Sequence, residues 1–412
     1  MTGWLTILGI GEDGMAGLSA AARRAVEEAE VIIGGERHHT LTPGLRAERL
    51  SWPHPFDALI DEIRARKGKR LVIIATGDPL WFSVGPRIAR AIPPDEITFY
   101  PQLSAFQFAA CRMGWSLADA ETLTAHGRPA EQVIPYFWPG AKLLVLTSGA
   151  ETPGALARML AQRGYGESRM TVLGSLGGPA ETRHEGLAAD WGAADPADQL
   201  PAFNTTAIEV LGAPGLLLGR TPGLPDAAFR HDGKMTKQDV RAVTLARLIP
   251  ARGEVLWDIG TGCGSVAIEW MRAAPDTVAV GFDPNPDRLA FARENARNLG
   301  TPRLTLLQGR APAVLHNVPV PKGVQADLRS PNAIFIGGGL TEETFAAAWD
   351  RLPARGRLVI NAVTLESEAV LLKLHADHGG SLSRIAVQHA SPVGRLHGWR
   401  PAMPVTQWAI TK

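Results

Sequence analysis

Residues 255–264 read Val-Leu-Trp-Asp-Ile-Gly-Thr-Gly-Cys-Gly, in which a short apolar run leads into a loop with glycine at every second position. A helical pattern follows at 266–271, and a second apolar run at 278–282 ends in Asp283. Glycine lets a backbone approach a ligand closely, and an acidic residue after the next strand can accept hydrogen bonds from ribose hydroxyls. This stretch therefore predicts a ribose-binding turn at the end of a parallel β-strand.

The spacing of the glycines separates two classes of ribose-binding site. A dinucleotide site has the pattern G-x-G-x-x-G, whereas this loop is G-x-G-x-G with Asp258 before it and Asp283 after it. The arrangement resembles the cofactor site of class I S-adenosylmethionine (SAM) methyltransferases. A strand–turn–helix without a ligand is the alternative, because a turn by itself can require one or two of the glycines.

The length of 412 residues exceeds the size at which one hydrophobic core usually keeps growing, so two domains are expected. Short apolar strands alternate with helical segments in both halves, which predicts α/β folds throughout. A stretch dense in proline and glycine marks the boundary. The predicted division is a first domain at 1–212, a linker and lead-in segment at 213–232, and a second domain at 233–412. The expected strands lie at 4–8, 31–33, 71–75, 97–100, 143–146, 170–173, 207–211, 254–258, 278–282, 303–307, 332–336 and 357–361.

The composition is that of an ordinary globular protein, with 45% hydrophobic residues, 20% charged residues and a net charge of +1. Clustered basic runs are absent from the sequence, which argues against nucleic acid as a partner. No apolar run is long enough to span a membrane. The two cysteines, Cys111 and Cys263, argue against a disulfide framework and fit a reducing compartment. We therefore expect a soluble, cytoplasmic protein.

The first domain contains a literal dinucleotide pattern. Gly9-Ile-Gly-Glu-Asp-Gly14 follows a predicted strand and precedes a helix, and Glu36 stands about where a ribose-binding acid is expected. Alone, this pattern indicates a nicotinamide- or flavin-dependent oxidoreductase. Against that interpretation, Glu12 and Asp13 would place two carboxylates where a pyrophosphate should bind the backbone.

Two further strand-to-helix turns favour another family. They are Thr76-Gly-Asp-Pro79 and Tyr100-Pro-Gln-Leu-Ser-Ala105, and with the first loop they resemble the motifs G-x-G-P-G, G-D-P and P-G-x-[ST]-[SA] of the class III tetrapyrrole methylases. The resemblance implies a two-lobed α/β fold in which Gly9 and Gly11 face the substrate trough. It also implies that SAM contacts Gly77, Asp78, Ser104 and Ala105. Glu12-Asp13 departs from Pro-Gly of the first motif, and Gln102 replaces the glycine of the third.

His126-Gly-Arg128 is a further resemblance to the methylases that act late in cobalamin biosynthesis. A cation pair beside the trough suits a substrate that carries many carboxylates, because arginine forms bidentate bonds to them. His126 and Arg128 are therefore candidate substrate-binding or catalytic residues. A histidine at a helix end and a solvated arginine are the alternative.

The second domain is similar over nearly its whole length to the class I methylases that act on precorrin, which have a Rossmann-like fold. The matching stretches are Gly223–Phe229, Met235–Arg241, Leu256–Ser265, Gln308–Ala311, Ile336–Gly339 and Asn361–Glu366. Carried across by position, the SAM site of that family comprises Thr236, Gly260, Thr261, Gly262, Cys263, Gly264, Asp283 and Ala311.

A class III methylase followed by this class I methylase resembles the bifunctional enzymes of aerobic cobalamin biosynthesis. The resemblance implies two SAM molecules per chain, a tetrapyrrole substrate, methylation of carbon 5 by the first domain, and methylation of carbon 15 with decarboxylation by the second. We also expect a homo-oligomer.

Methyl transfer to an electron-rich carbon depends mostly on positioning and a dry site, so it requires no dedicated base. Decarboxylation needs an electron sink, which a protonated ring can supply, and a proton donor. Glu269 is a candidate for the proton donor. The alternative is that Glu269 is a capping or core-edge residue. Candidate groups for binding substrate carboxylates are His231, Lys237, Arg241 and His389; ordinary surface residues are the alternative. Competing functions are a fused methyltransferase for RNA or a peptide side chain, a nicotinamide-dependent oxidoreductase, and a tetrapyrrole carrier without catalysis.

Overall fold

A computed structural model describes residues 3–319 and 326–412. The chain divides into two units, Met1–Ala130 with Pro139–Gly215, and Glu131–Trp138 with Leu216–Lys412. The second unit therefore takes in a short segment from the first half of the sequence. The domain boundaries at 212 and 232 stay predictions.

The first unit begins with a sheet of five parallel strands in the order β3-β2-β4-β1-β5. Nearly every residue of the central strands is buried, as is usual for a parallel sheet covered on both faces. Because the carboxyl ends of parallel strands meet at one edge, the loops that follow β1, β2 and β4 come together there. The elements are β1 (Leu5–Ile10), α1 (Ala20–Glu27), β2 (Val31–Ile33), α2 (Glu36–Leu41), β3 (Glu48–Leu50), α3 (Leu59–Arg64), β4 (Leu71–Thr76), α4 (Gly85–Ala89) and β5 (Ile97–Tyr100).

The second sheet of this unit is mixed, in the order β6-β7-β10-β8-β9. Only the pairing of β6 with β7 is parallel among its described ladders. Helix α5 covers this sheet by packing Phe106 against Leu144 and Ala207. The elements are α5 (Ala105–Met113), β6 (Glu121–Thr124), β7 (Lys142–Leu146), α6 (Glu151–Ala161), β8 (Arg169–Gly174), β9 (Thr182–Leu187), α7 (Ala188–Ala194) and β10 (Asn204–Glu209).

The second unit is built on a seven-stranded sheet in the order β13-β12-β11-β14-β15-β19-β16. Alternate residues of β11 enter the cores on opposite faces, Trp257 on one side and Leu256 on the other. The elements are α8 (Gln238–Leu248), β11 (Val255–Ile259), α9 (Ser265–Ala273), β12 (Val278–Asp283), α10 (Pro286–Asn298), β13 (Thr305–Gln308), β14 (Ala333–Ile336), α11 (Glu342–Arg351), β15 (Arg357–Ala362), α12 (Leu365–His378), β16 (Ser381–Ile385), β17 (Gln388–Val393), β18 (Leu396–Pro401) and β19 (Val405–Thr411).

The α/β prediction is confirmed in both halves, and each predicted strand overlaps an observed one. The sequence reasoning missed β3, β6, β9 and the four strands from β16 onward. Strand β19 runs antiparallel between β15 and β16, and β17 pairs with β18 as a separate hairpin. These missed strands are mostly short or exposed, so they lack the buried apolar run on which the prediction relied.

Candidate active sites

The glycine loop of the second unit lies at the carboxyl edge of its sheet, between β11 and α9. Gly260, Gly262 and Gly264 have φ angles of 76°, 55° and 82°, which side chains other than glycine rarely adopt. A Cβ atom at Gly260 would lie 2.7 Å from the backbone nitrogen of Gly338, in the loop after β14. The two loops therefore approach so closely that only glycine fits.

Asp283 ends β12 beside this loop and is only 2% exposed. One carboxylate oxygen accepts a hydrogen bond from Gly262 N at 3.0 Å, and the other accepts one from Asn285 N at 2.9 Å. Each oxygen keeps a further lone-pair direction, so the group can still accept from a ribose hydroxyl. Asp283 thus holds the loop in shape, and its role as the ribose acid stays a prediction.

Asp258 supports the same loop from inside the sheet. Its Oδ2 accepts hydrogen bonds from Thr261 Oγ1 at 2.8 Å and from Ala267 N at 3.1 Å, and the residue is 1% exposed. Burial raises the pKa of this carboxyl to about 7, and the nearby charge of Asp283 adds to the rise. The sequence reasoning used Asp258 only as a motif flank, whereas the structure shows that it ties the loop to the start of α9.

The other predicted SAM contacts of this unit lie around the loop. The segment leading to Thr236 passes over Gly262, where a Cβ atom would be 3.6 Å from Lys234 O. Ala311 is half-buried in the loop after β13. The same loop is joined to the end of β12 by a hydrogen bond from Gly309 N to Asp283 O at 3.1 Å. The side chains of Thr261 and Cys263 are buried, and burial raises the pKa of the Cys263 thiol. A ligand would therefore meet the backbone of the loop.

Glu269 and Arg241 form a buried ion pair, with Arg241 Nε at 2.5 Å from Glu269 Oε1. Glu269 also accepts hydrogen bonds from Gly223 N at 2.5 Å and from Leu224 N at 3.0 Å. Arg241 also donates to Asp226 Oδ1 at 3.2 Å and to the carbonyl oxygens of Leu224 and Thr236. The pair thus holds the lead-in segment at Gly223 and Leu224, and the stretch after it at the predicted SAM contact Thr236, against α8 and α9.

This network corrects two predictions. Arg241 has no exposed side-chain surface and donates from all three nitrogens, so it is not a surface group that binds substrate carboxylates. Glu269 is 1% exposed with both oxygens occupied, so it is not the proton donor for a decarboxylation. Glu269 instead accepts backbone hydrogen bonds from the lead-in segment at the edge of the core, in agreement with the alternative of a capping or core-edge residue.

Of the other three candidate groups for substrate carboxylates, Lys237 and His389 lie at the first turn of α8. Lys237 precedes the helix, is half-exposed, and lies 3.8 Å from Asp226 Oδ2. His231 Nδ1 accepts a hydrogen bond from Gly233 N at 2.8 Å, and His389 Nε2 lies 3.6 Å from Asp239 Oδ2. Lys237 and His389 remain accessible, so they stay candidates for contact with an acidic substrate.

The three predicted loops of the first unit meet at the carboxyl edge of its parallel sheet. A Cβ atom at Gly9 would lie 1.8 Å from Gly77 O and 2.8 Å from the Cβ of Gln102, and one at Gly77 would lie 3.0 Å from the Cα of Ser104. Ser104 caps α5 by accepting from Phe106 N at 3.2 Å. The structure therefore brings Gly9, Gly77 and Ser104 together, and Ala105 follows as the first residue of α5.

The remaining candidates of the first unit are more dispersed. Asp78 Oδ1 accepts from Leu80 N at 2.7 Å and so shapes its own turn. A Cβ atom at Gly11 would meet the carboxylate of Asp13 at 2.7 Å. His126 is exposed after β6, and the Arg128 guanidinium lies 5.8 Å from the centre of the Phe82 ring. The predicted place of His126 and Arg128 beside the substrate trough therefore stays a prediction.

Sequence reasoning missed a polar cluster at the same edge of the first sheet. It consists of Glu12, Arg37, His38 and Thr76, which follow or end β1, β2 and β4. The only signal in the sequence was the run Gly34-Gly-Glu-Arg-His38 directly after β2. Among the described residues there is no group of His, Cys, Asp and Glu suited to a metal ion. None of the helices in the described residues is long and apolar enough to cross a membrane.

Comparisons with known proteins agree with this two-part organisation. The family of Tetrapyrrole (Corrin/Porphyrin) Methylases matches residues 5–191, and the Precorrin methyltransferase domain matches residues 227–412. A precorrin-6Y C(5,15)-methyltransferase (decarboxylating) from Sinorhizobium sp is 46% identical, covering 99% of this chain and 96% of the relative. One of the same name from Mycobacterium tuberculosis (strain H37Rv) is 38% identical, covering 99% of this chain and 100% of the relative.

Among solved structures, the C-terminal domain of precorrin-6Y C5,15-methyltransferase from Rhodobacter capsulatus is 44% identical, with a TM-score of 0.43. It covers 47% of this chain and 100% of that chain. The family matches confirm the prediction of a tetrapyrrole methylase domain followed by a precorrin methyltransferase domain. From its full-length relatives, the chain belongs to the family of precorrin-6Y C(5,15)-methyltransferases (decarboxylating).

Proposed function

We propose that this chain uses SAM to methylate a precorrin-6 intermediate at carbons 5 and 15 and removes the carboxyl group of the acetate side chain at carbon 12, giving precorrin-8. The observation that carries the proposal is a pair of unrelated glycine-lined turns in one chain, each at the carboxyl edge of its own sheet. Relatives named for both methylations and for the decarboxylation match 99% of the chain, which supports it further.

The residues of the second unit fit a nucleoside cofactor. The loop at Gly260 meets the loop at Gly338 without space for a side chain, while a Cβ atom at Gly338 itself would have no neighbour within 4 Å. One wall of the turn is thus tightly packed and the adjoining backbone is open. We propose that SAM, which supplies an electrophilic methyl group when bound, is held here by Thr236, Gly260–Gly264, Asp283 and Ala311.

A second SAM site per chain is proposed in the first unit, at Gly77, Asp78, Ser104 and Ala105. The support is the close approach of the Gly77 turn to Ser104 at the start of α5. Calorimetry with S-adenosylhomocysteine should give two molecules bound per chain. A stoichiometry of one would contradict the bifunctional proposal.

In the proposed reaction, a bridging carbon of the reduced tetrapyrrole forms a bond to the methyl carbon while the bond from that methyl to sulfur breaks. Such a transfer depends on alignment of the reacting atoms and on exclusion of water. The backbone of the glycine loops provides the alignment. In the decarboxylation, the electron pair of the broken carbon–carbon bond passes into the protonated ring system, and a proton then replaces carbon dioxide. Lys237 remains an accessible candidate for holding a substrate carboxylate.

The direct test incubates the full chain with SAM and a purified precorrin-6 substrate and follows the products by mass spectrometry. The expected product carries two added methyl groups and lacks one carboxyl group, and two S-adenosylhomocysteine molecules form for each product molecule. A tetrapyrrole carrier would bind the substrate but release no S-adenosylhomocysteine. That outcome would overturn the proposed function.

The oxidoreductase alternative is disfavoured by the packing of the Gly9 loop. Gly9 abuts the Gly77 carbonyl, and Glu12 in the loop pairs with Arg37. Gly9 therefore faces protein where a dinucleotide site would bring the backbone close to its ligand, and the loop carries an ion-paired carboxylate. Difference spectroscopy with NADH should show no binding under conditions in which S-adenosylhomocysteine binds.

We also propose a homo-oligomer in the cytoplasm. The β17–β18 hairpin exposes Val393, Leu396 and Trp399, and a two-stranded hairpin is marginally stable alone. A second copy of the chain covering these residues would stabilise it. Light scattering after size-exclusion chromatography should give a mass above that of one chain, and Trp399→Ser should lower it. The low cysteine content supports the cytoplasmic location.

A further inference from the structure

The polar cluster of Glu12, Arg37, His38 and Thr76 has no part in the sites described above. Its members come from the ends of three adjacent strands, since β4 lies between β2 and β1 in the sheet. Thr76 is exposed and directly precedes the Gly77-Asp78 turn. The cluster therefore borders the proposed SAM turn of the first unit.

The hydrogen bonds of His38 fix which of its nitrogens carries a proton. Gly35 N donates to His38 Nδ1 at 3.0 Å, and a backbone N–H can only donate, so Nδ1 must be an acceptor. The hydrogen of the neutral ring is then on Nε2, which lies 3.0 Å from Thr76 Oγ1. Burial and the charge of Arg37 lower the pKa of His38 to about 4, which agrees with a neutral ring. His38 is thus a fixed donor to Thr76.

Arg37 is the second donor to the same oxygen, with Nη1 at 3.0 Å from Thr76 Oγ1. The guanidinium is held in place by its ion pair with Glu12 and by the Phe203 ring, whose centre is 4.1 Å away. A hydroxyl oxygen has two acceptor positions and one hydrogen to donate. Both acceptor positions of Thr76 are therefore filled from within the protein, and its hydrogen is left for an acceptor outside the cluster.

We infer that Thr76, oriented by His38 and Arg37, binds a carboxylate group in the first unit. A carboxylate accepts hydrogen bonds without offering any, so it matches a hydroxyl that can only donate. The Arg37 side chain is one-third exposed, so its positive charge can also face the ligand. The inference rests on the proposed function for the source of the carboxylate, which is either a side chain of the tetrapyrrole or the amino-acid part of SAM.

The test compares Thr76→Val with Thr6→Val in the full chain. Thr6 lies in β1 of the same sheet and provides the matched loss of a hydroxyl away from the cluster. Loss of a hydrogen bond to a charged group should raise the KM for one carboxylate-bearing reactant in carbon 5 methylation about tenfold. A rise for the tetrapyrrole assigns the site to substrate, and a rise for SAM assigns it to the cofactor. Unchanged KM values for both would overturn the inference.

Two controls keep the result interpretable. Thr76→Ser retains the hydroxyl and should restore the wild-type KM, which a purely structural role of the threonine methyl group would not produce. Binding of S-adenosylhomocysteine, of methylthioadenosine, which lacks the amino-acid carboxylate, and of uroporphyrin III is measured without turnover. If the wild type fails to methylate but Thr76→Val still weakens one carboxylate-bearing probe, the site stands and the proposed function fails. If Thr76→Val weakens none of these probes, the inference itself fails.

Discussion

Two glycine loops of similar appearance in the sequence use glycine for different physical reasons. In the second unit, Gly260, Gly262 and Gly264 all have positive φ, so the backbone turn itself requires them. In the first loop, Gly9 is required because the neighbouring Gly77 carbonyl occupies the space of a side chain, and only Gly14 has positive φ. A glycine pattern therefore predicts a close approach but does not tell which group approaches.

The segments around the two loops are also held differently. The stretch from Gly223 to Thr236, beside the second loop, is held by the buried Arg241–Glu269 pair, whereas the first loop is joined to α2 by the partly exposed Arg37–Glu12 pair. Removing one partner of a buried pair leaves an uncompensated charge, whereas water that reaches a partly exposed pair reduces this cost. The two pairs therefore provide the largest expected contrast between the units.

Arg241→Met should lower the free energy of unfolding of the second unit by about 3–5 kcal/mol, because it leaves Glu269 charged and buried. Arg37→Met should cost the first unit less than this, because the Arg37 and Glu12 side chains are 33% and 18% exposed and water reaches part of the pair. Denaturant unfolding followed by hydrogen exchange, which assigns each transition to a unit, measures both. Equal losses for the two variants would contradict the difference in burial.

The next contrast separates backbone strain from lack of space. Gly260→Ala and Gly253→Ala both place a side chain at φ near 76°, which costs about 1–2 kcal/mol. Only at Gly260 does the new Cβ atom also meet backbone, 2.7 Å from Gly338 N, since Gly253 has no neighbour within 4 Å. Calorimetry should show loss of one S-adenosylhomocysteine site in Gly260→Ala and both sites in Gly253→Ala. Two intact sites in Gly260→Ala would mean that the loop is not part of the SAM site.

Asp283→Ala tests which reactions belong to the second loop. Removing hydrogen bonds to a charged group should weaken S-adenosylhomocysteine binding in the second unit by about 1.5–3 kcal/mol. Mass spectrometry should then show loss of carbon 15 methylation and of decarboxylation, with carbon 5 methylation retained on a supplied intermediate. Asp287→Ala, an exposed residue in the first turn of α10, is the control. Unchanged products in Asp283→Ala would remove this residue from the cofactor site.

The sequence predicts those structural features that depend on residues close together along the chain. The buried strands that carry Asp258 and Asp283 could be predicted because each acid directly follows an apolar run, next to the end of β11 and at the end of β12. The partners of Arg241 and His38 could not, since Glu269 is 28 residues away and Thr76 is 38 residues away. An arginine that will be buried beside a glutamate has the same local signature as one on a solvated helix face. Only the folded arrangement distinguishes them.

The smallest expected effect is a pH dependence of opposite sign in the two units. The pKa of His38 is lowered to about 4 from 6.5, so the unfolded chain binds more protons between these values, and stability of the first unit falls as the pH drops through that window. The pKa of Asp258 is raised to about 7 from 3.8, so the folded chain binds more protons, and stability of the second unit falls as the pH rises toward 7. One proton corresponds to at most about 1.4 kcal/mol for each pH unit. Unfolding of each unit measured between pH 5 and pH 6.5 should therefore give slopes of opposite sign, flattened by His38→Gln in the first unit and by Asp258→Asn in the second. Slopes of the same sign that persist in both variants would show that neither buried group controls the stability of its loop.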